Sequence, residues 1–258
     1  MSYLLLAHTA SAQTIPPECS GDNNMIAIID RPSVGYSPCT VANKTLFIES
    51  GYAYQKLTPS GYAHNLPQTE MRFGIINNTE IEFFPPNYNE QNNPSQSGFG
   101  YTSLGLKHVV FFDSKQIISV QGYVTPPSGN QYFGTSKTSF LLNGIYGYNF
   151  ASGIGLAGTF GLAANASPPA NPAQTYYSFN PIIDLGLPIT STLAAYLEVY
   201  SQSKTALDQG WGVSMDGGLI LLAEKNLTFD VSAGQRISGY LGGVDHYFGA
   251  GFVIALGL

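Results

Sequence analysis

Apolar residues in this chain fall on every second position, in one segment after another. Across 45–55 (TLFIESGYAYQ), Leu46, Ile48, Tyr52 and Tyr54 share one parity, while Glu49, Gly51, Ala53 and Gln55 share the other. A period of two marks a β-strand with one apolar face. The same alternation predicts strands over 68–76, 79–84, 101–111, 117–125, 139–149, 153–163, 177–187, 192–201, 212–222, 226–234 and 246–258.

The charged residues decide which kind of sheet this is. Glu49, Glu70, Arg72, Glu80, Glu82, Lys107, Asp184, Glu198, Asp216 and Asp230 all sit on the polar parity of their segments, and Gln121 joins them. A Lys or Arg facing lipid at mid-bilayer costs a barrel about 2–4 kcal/mol, so strict segregation is what a membrane imposes. A soluble sheet also alternates, but it carries plentiful Lys and Glu on its wet face. Here the polar face is mostly Gly, Ala, Ser and Thr, which suit a crowded barrel interior. The pattern predicts an all-β fold, a closed antiparallel transmembrane β-barrel of about twelve strands.

The connections alternate as well. Short turns stand at 77–78, 113–115, 151–152, 188–190 and 224–225, and longer polar stretches around 57–66, 85–98, 126–137, 164–175, 202–210 and 235–245. Short periplasmic turns and longer extracellular loops are the arrangement of the bacterial outer membrane, where we expect this chain. Tyr52, Tyr54, Phe111, Phe112, Tyr148, Phe150 and Phe248 lie near strand ends and are expected to form the interfacial girdles.

Composition agrees. Charged residues are 10% of the 258, against roughly 25% in an ordinary soluble domain. Mean hydropathy is only +0.03, as expected when apolar and polar positions alternate. No apolar run is long enough for a membrane helix, which needs about 18 residues. The net charge is −6, and no Lys/Arg cluster exists to neutralise phosphates, which excludes nucleic acid as a partner.

Ahead of the barrel, residues 1–12 read as the remnant of a signal peptide, with an Ala10-Ser11-Ala12 cleavage pattern. Residues 13–43 read as an N-terminal extension, a disulfide loop or a plug, and 44–258 as the barrel. Export places the only two cysteines, Cys19 and Cys39, in an oxidising compartment, where they are expected to pair. The loop so closed, of about twenty residues, is worth roughly 3 kcal/mol. Their spacing fits no zinc pattern, so neither a metal nor a cofactor is expected.

The stretches Asp30-RPSVGYSPC-Thr40, LFIESGYAYQ, PQTEMRFGI and TEIEFFPPNYN, followed by SLGLKHVV, YVTPPSG, LEVYSQ and DGGLILL, resemble a family of exported proteins. These are outer-membrane transporter-like barrels related to the phenol meta-pathway (MetA-type) proteins. The resemblance covers roughly 30–258. It implies a barrel and an expected transport of small compounds, aromatic ones included. It defines no binding residues.

Enzymatic chemistry finds little support in the residues. No G-x-S-x-G elbow occurs. His108 lies on the lipid parity near the periplasmic rim, while His64 and His246 lie in long loops that closure can bring together. We expect no enzyme, with a lipid-acting enzyme or an adhesive barrel as the alternatives. The expected function is passive transport or binding of small solutes in a narrow acidic lumen. The ten charged residues above, with Gln121, are the candidate solute path. A polar plug that never conducts fits them equally. Arg72 is expected to neutralise Glu80 or Glu82 and leave the remaining acids open to the channel. Membrane lipids and a small solute are the expected partners, and the chain is expected to be a monomer.

Overall fold

A computed structural model describes residues 15–20 and 24–257. The signal-peptide reading of 1–12 therefore lies outside the described residues.

Twelve strands form the barrel wall. They are β1 (Thr45–Leu57), β3 (Glu70–Ile76), β4 (Thr79–Phe84), β7 (Ser103–Phe112), β8 (Gln116–Thr125), β9 (Ser139–Asn149), β10 (Gly155–Ala166), β11 (Thr175–Pro188), β12 (Leu193–Gln202), β13 (Gly212–Glu224), β14 (Leu227–Gly239) and β15 (Val244–Gly257). Each pairs antiparallel with its neighbours, and β15 pairs with β1 from Thr45↔Gly257 to Leu57↔Val244, which closes the sheet. Closure leaves no open edge inside the bilayer, where an unpaired backbone group finds no water. The outer face is apolar all round: Leu106, Leu142, Leu162, Ile183, Leu197 and Val231 are each at least half exposed. A belt of that size on a protein in water would be an aggregation hazard. Here it is the lipid-facing surface, and the chain is a bacterial outer-membrane barrel.

Three further strands stand where the hydropathy pattern predicts only loops: β2 (Tyr62–Leu66), β5 (Tyr88–Asn92) and β6 (Ser95–Phe99). β2 pairs with the upper half of β1, Ala53↔Asn65 to Lys56↔Tyr62, whereas β3 pairs only with its lower half, Leu46↔Phe73 to Glu49↔Glu70. β5 then pairs with β2, and β6 with β5, so a small sheet rises from the β1 rim. Their sequences, YAHNL, YNEQN and SQSGF, are largely polar and carry no apolar stripe, so alternation cannot reveal them.

One girdle expectation fails. A register shift between Val109 and Phe111 leaves Val110 and Phe111 both exposed and turns Phe112 toward the interior. An extra residue in one strand reverses the facing of the residues beyond it.

Residues 24–43 lie inside the barrel. The chain enters at the periplasmic end, where a short helix α1 (Met25–Ile28) and Ile29 pack with Cys19, Cys39 and Val41. Cys19 and Cys39 form a disulfide. This cluster sits on Phe47, Val109, Ile117, Ile220, Leu222 and Val253, which face inward at the periplasmic ends of their strands. The segment rises to a tip at 32–36 and returns to β1, where the Lys44 amide donates to the Gly74 carbonyl.

Candidate functional site

The lumen is built from inward-facing side chains placed by strand register, and it is filled on one side by the 24–43 segment. Glu49 and Glu70 oppose each other across β1 and β3, Arg72 opposes Glu82, and Glu80 opposes Lys107. Arg72 is fully enclosed, with Glu80 at 2.8 Å, Glu49 at 3.0 Å and Asp30 at 3.5 Å. Its Nη1 also donates to the Ile28 carbonyl at 2.6 Å, and its Nη2 to the Cys39 carbonyl at 3.2 Å. Lys107 reaches Asp30 and Glu80, each at 3.1 Å, and Glu82 at 3.5 Å. Gln121 Nε2 donates to Glu82 at 2.9 Å, and its Oε1 accepts from Asn143 at 2.8 Å, extending the network around the wall. Planar, forked Arg72 suits this multidentate position in a way a lysine does not.

The segment is pinned to this wall by its backbone. The Asp30 and Arg31 amides donate to Glu49 at 3.1 and 2.9 Å, and the Val41 amide donates to Glu80 at 2.6 Å. At the opposite wall the Val34 and Gly35 amides donate to Glu198 at 2.9 and 2.7 Å. Arg31 lies flat across Gly51 and Gly251, a directly opposed pair of β1 and β15, and donates to Asp230 at 3.1 and 3.3 Å. A Cβ at either glycine would overlap the guanidinium. Gly251→Val is accordingly expected to expel Arg31 and leave Asp230 unpaired, with faster amide hydrogen exchange across 30–36. Unchanged protection there would contradict this reading of the contact.

The expected division of charge is corrected in one respect. Glu80 and Glu82 are sealed and paired, and of the acids in this network Asp30 and Glu70 line a cavity. Further acids without an ion pair lie across the lumen. Asp184, Glu198 and Asp216 are register neighbours on β11, β12 and β13. Among the described residues, none of the three forms an ion pair with a cation. Glu198 is held by the two tip amides, and Asp216 accepts from the Tyr247 hydroxyl.

Two cavities flank the tip. The upper, of about 990 Å³, opens toward the extracellular loops and is walled by Glu70, Phe84, Tyr101, Tyr123, Tyr176 and Tyr200, among others. The lower, of about 440 Å³, runs beside the returning segment to the turns at Gly153 and Pro188–Ser191, past Asp184 and Tyr196. Both are lined by Arg31, Pro32, Ser33, Gly35, Tyr36, Thr159 and Ile182, so these seven residues stand between them. Burial, and then Glu70, Glu82 and Asp30, push the Tyr36 hydroxyl well above its ordinary value, and burial raises Tyr101, so both stay protonated.

The histidines make separate contacts. His108 Nδ1 lies 2.8 Å from the Thr79 hydroxyl at the outer periplasmic end of the wall. His64 sits on β2, 2.6 Å from the Tyr52 hydroxyl and among Tyr54 and Tyr62. His246 is on β15 beside Asp245. The sequence missed the tip residues that line both cavities, because they carry little charge and no periodicity. The apolar residues of lumen parity, such as Phe47 and Val253, were the available signal that something packs inside.

A family profile described as "Putative MetA-pathway of phenol degradation" matches residues 29–242. Among solved structures, the fold is similar to an outer membrane channel from Pseudomonas putida F1, with a TM-score of 0.68 at 10% identity over 84% of this chain and 97% of that one. It is also similar to the NanC porin, with a TM-score of 0.57 at 10% identity over 82% and 100% of the two chains. The KdgM porin in complex with oligogalacturonate gives 0.56 at 11% identity over 81% and 98%. No curated protein matches the sequence.

Proposed function

We propose passive passage of small solutes across the outer membrane as the function of this chain, which belongs to the MetA-pathway family. Solutes enter the upper cavity, pass the 32–36 tip on its β10–β12 side, and leave through the lower cavity. The observation that supports this reading is that one cavity lies on each side of the tip and both share the same seven lining residues. The 24–43 segment acts as a partial plug that sets the width of the passage.

The walls favour a solute class. The upper cavity offers Phe84, Tyr101, Tyr123, Phe133, Tyr176 and Tyr200 as apolar and stacking surface. On the β11–β13 wall Asp184 lines the lower cavity, with Glu198 and Asp216 buried beside it, and none of the three has a cationic partner among the described residues. Unpaired acid in a narrow, low-dielectric lumen attracts cations and repels anions. Small neutral or cationic compounds, aromatic ones included, fit both features, and the family's phenol-degradation description agrees with an aromatic solute.

Reversal potential in a planar bilayer under a salt gradient tests the acidic passage. Cations should permeate in preference to anions, and Asp184→Asn with Asp216→Asn should bring the preference toward unity without loss of the barrel. Thr159→Trp, placed between the cavities, should cut the conductance. Anion preference, or a Thr159→Trp channel as conductive as the parent, would overturn the route. A parent without conductance would leave a sealed structural barrel as the better reading.

A further inference from the structure

The acids beside Arg72 and Lys107 outnumber those two cations. Five enclosed carboxylates, Asp30, Glu49, Glu70, Glu80 and Glu82, share the network with only Arg72 and Lys107. Buried charge of one sign is costly unless something neutralises it. The surplus is localised. Asp30, Glu70 and Glu82 each place a carboxylate oxygen within 4.8 Å of those of the other two. Among the described residues, two enclosed polar groups at this spot have no hydrogen-bond partner: Glu70 Oε1 and the Tyr123 hydroxyl. Glu70 is 8% exposed and Tyr123 7%. Both line the upper cavity with Asp30, which gives an entry path from outside.

We propose that Asp30, Glu70 and Glu82 form a binding site for a hard divalent cation of the calcium type, with Glu70 Oε1 as its free ligand. Calcium binds carboxylate oxygens at about 2.3–2.6 Å, so two ligands on opposite sides of one ion stand up to about 5 Å apart. The observed spacing fits that span. Lumen water completes the coordination, as calcium's flexible geometry permits, whereas magnesium requires a near-ideal octahedron. Glu70 and Glu82 belong to the wall, on β3 and β4, and Asp30 belongs to the segment inside it. The ion therefore staples the segment to the barrel. Lys107 contacts Asp30 and Glu82, and Arg72 contacts Asp30, which leaves Glu70 as the member of the trio without an ion pair among the described residues. The site does not depend on whether the lumen conducts.

The test uses the full mature protein in detergent, stripped with a chelator and titrated with Ca²⁺ by calorimetry and with Tb³⁺ by tyrosine-sensitised emission, for which Tyr123 and Tyr36 are at hand. One site is expected, with Ca²⁺ displacing Tb³⁺. Glu70→Gln should lower Tb³⁺ affinity by more than about 10-fold, the least that loss of even a supporting partner costs a metal site. Asp208→Asn, in an extracellular loop, should leave it unchanged. Saturating Ca²⁺ should also raise the unfolding temperature of the parent, a readout that stands even where Glu70→Gln does not fold. Absence of binding in the parent, a folded Glu70→Gln that binds as tightly as the parent, or an unfolding temperature indifferent to Ca²⁺ would overturn the site.

Discussion

Removing residues 15–40 while retaining Val41 onward should raise the single-channel conductance severalfold and leave a closed barrel. The segment occupies the lumen between β1–β4 on one side and β12–β14 on the other, through contacts to Glu49, Glu80, Glu198 and Asp230. Without it the cavities of about 990 and 440 Å³ merge into one passage. The wall itself loses no strand pairing, because β15 closes on β1 independently of the segment. The freed acids are then hydrated rather than buried, which avoids the penalty of an unpaired charge in the interior. Phe47, Ile117 and Val253 lose their apolar cover, so some stability is lost as well. Heat-modifiable gel mobility reports the fold and bilayer recording reports the conductance. A folded truncation that conducts no more than the parent would show that the segment does not limit the passage.

Arg72→Met should destabilise the barrel by about 3–5 kcal/mol, the usual cost of removing one partner from a buried ionic network. Arg72 serves Glu80, Glu49 and Asp30 and two carbonyls of the segment. After the change, Lys107 alone faces the surrounding carboxylates. The hydrophobic side chain fills much of the same space but supplies no donor, so the loss is electrostatic rather than a cavity. Arg72→Lys should recover only part of it, since an ammonium cannot span Glu80, Glu49 and the Ile28 carbonyl together. Reversible urea unfolding in micelles measures both. A loss below about 1 kcal/mol for Arg72→Met, the scale of an exposed pair, would mean that water reaches the network.

The barrel was legible because lipid enforces a rule at every second residue. Leu104, Leu106 and Val110 had to face out, and Lys107 had to face in. The rule stops where lipid stops. β2, β5 and β6 form the small sheet at the extracellular end of β1, are short and largely polar, and were not separated from loops by alternation. Phe112 was misplaced because the shift at Val109/Phe111 inserts a residue that alternation cannot detect. Inside the lumen, parity identified which charges face inward but not who meets them. Asp30, Arg31 and the tip amides come from a segment without periodic pattern, and they decide which acids are paired. The tight 77–78 turn made Arg72 a partner for Glu80 or Glu82 without deciding between them, and the sealing of Glu82 required Lys107 and Gln121 from β7 and β8.

Access to Ser33 tests the passage most directly. Ser33 lines both cavities at the tip, and the native cysteines are tied up in the Cys19–Cys39 disulfide. In a Ser33→Cys channel held in a planar bilayer, a small cationic thiol reagent applied from either side alone should reach the new thiol and reduce the current. A cysteine that reacts from neither side, or from one side only, would contradict a continuous route past the tip.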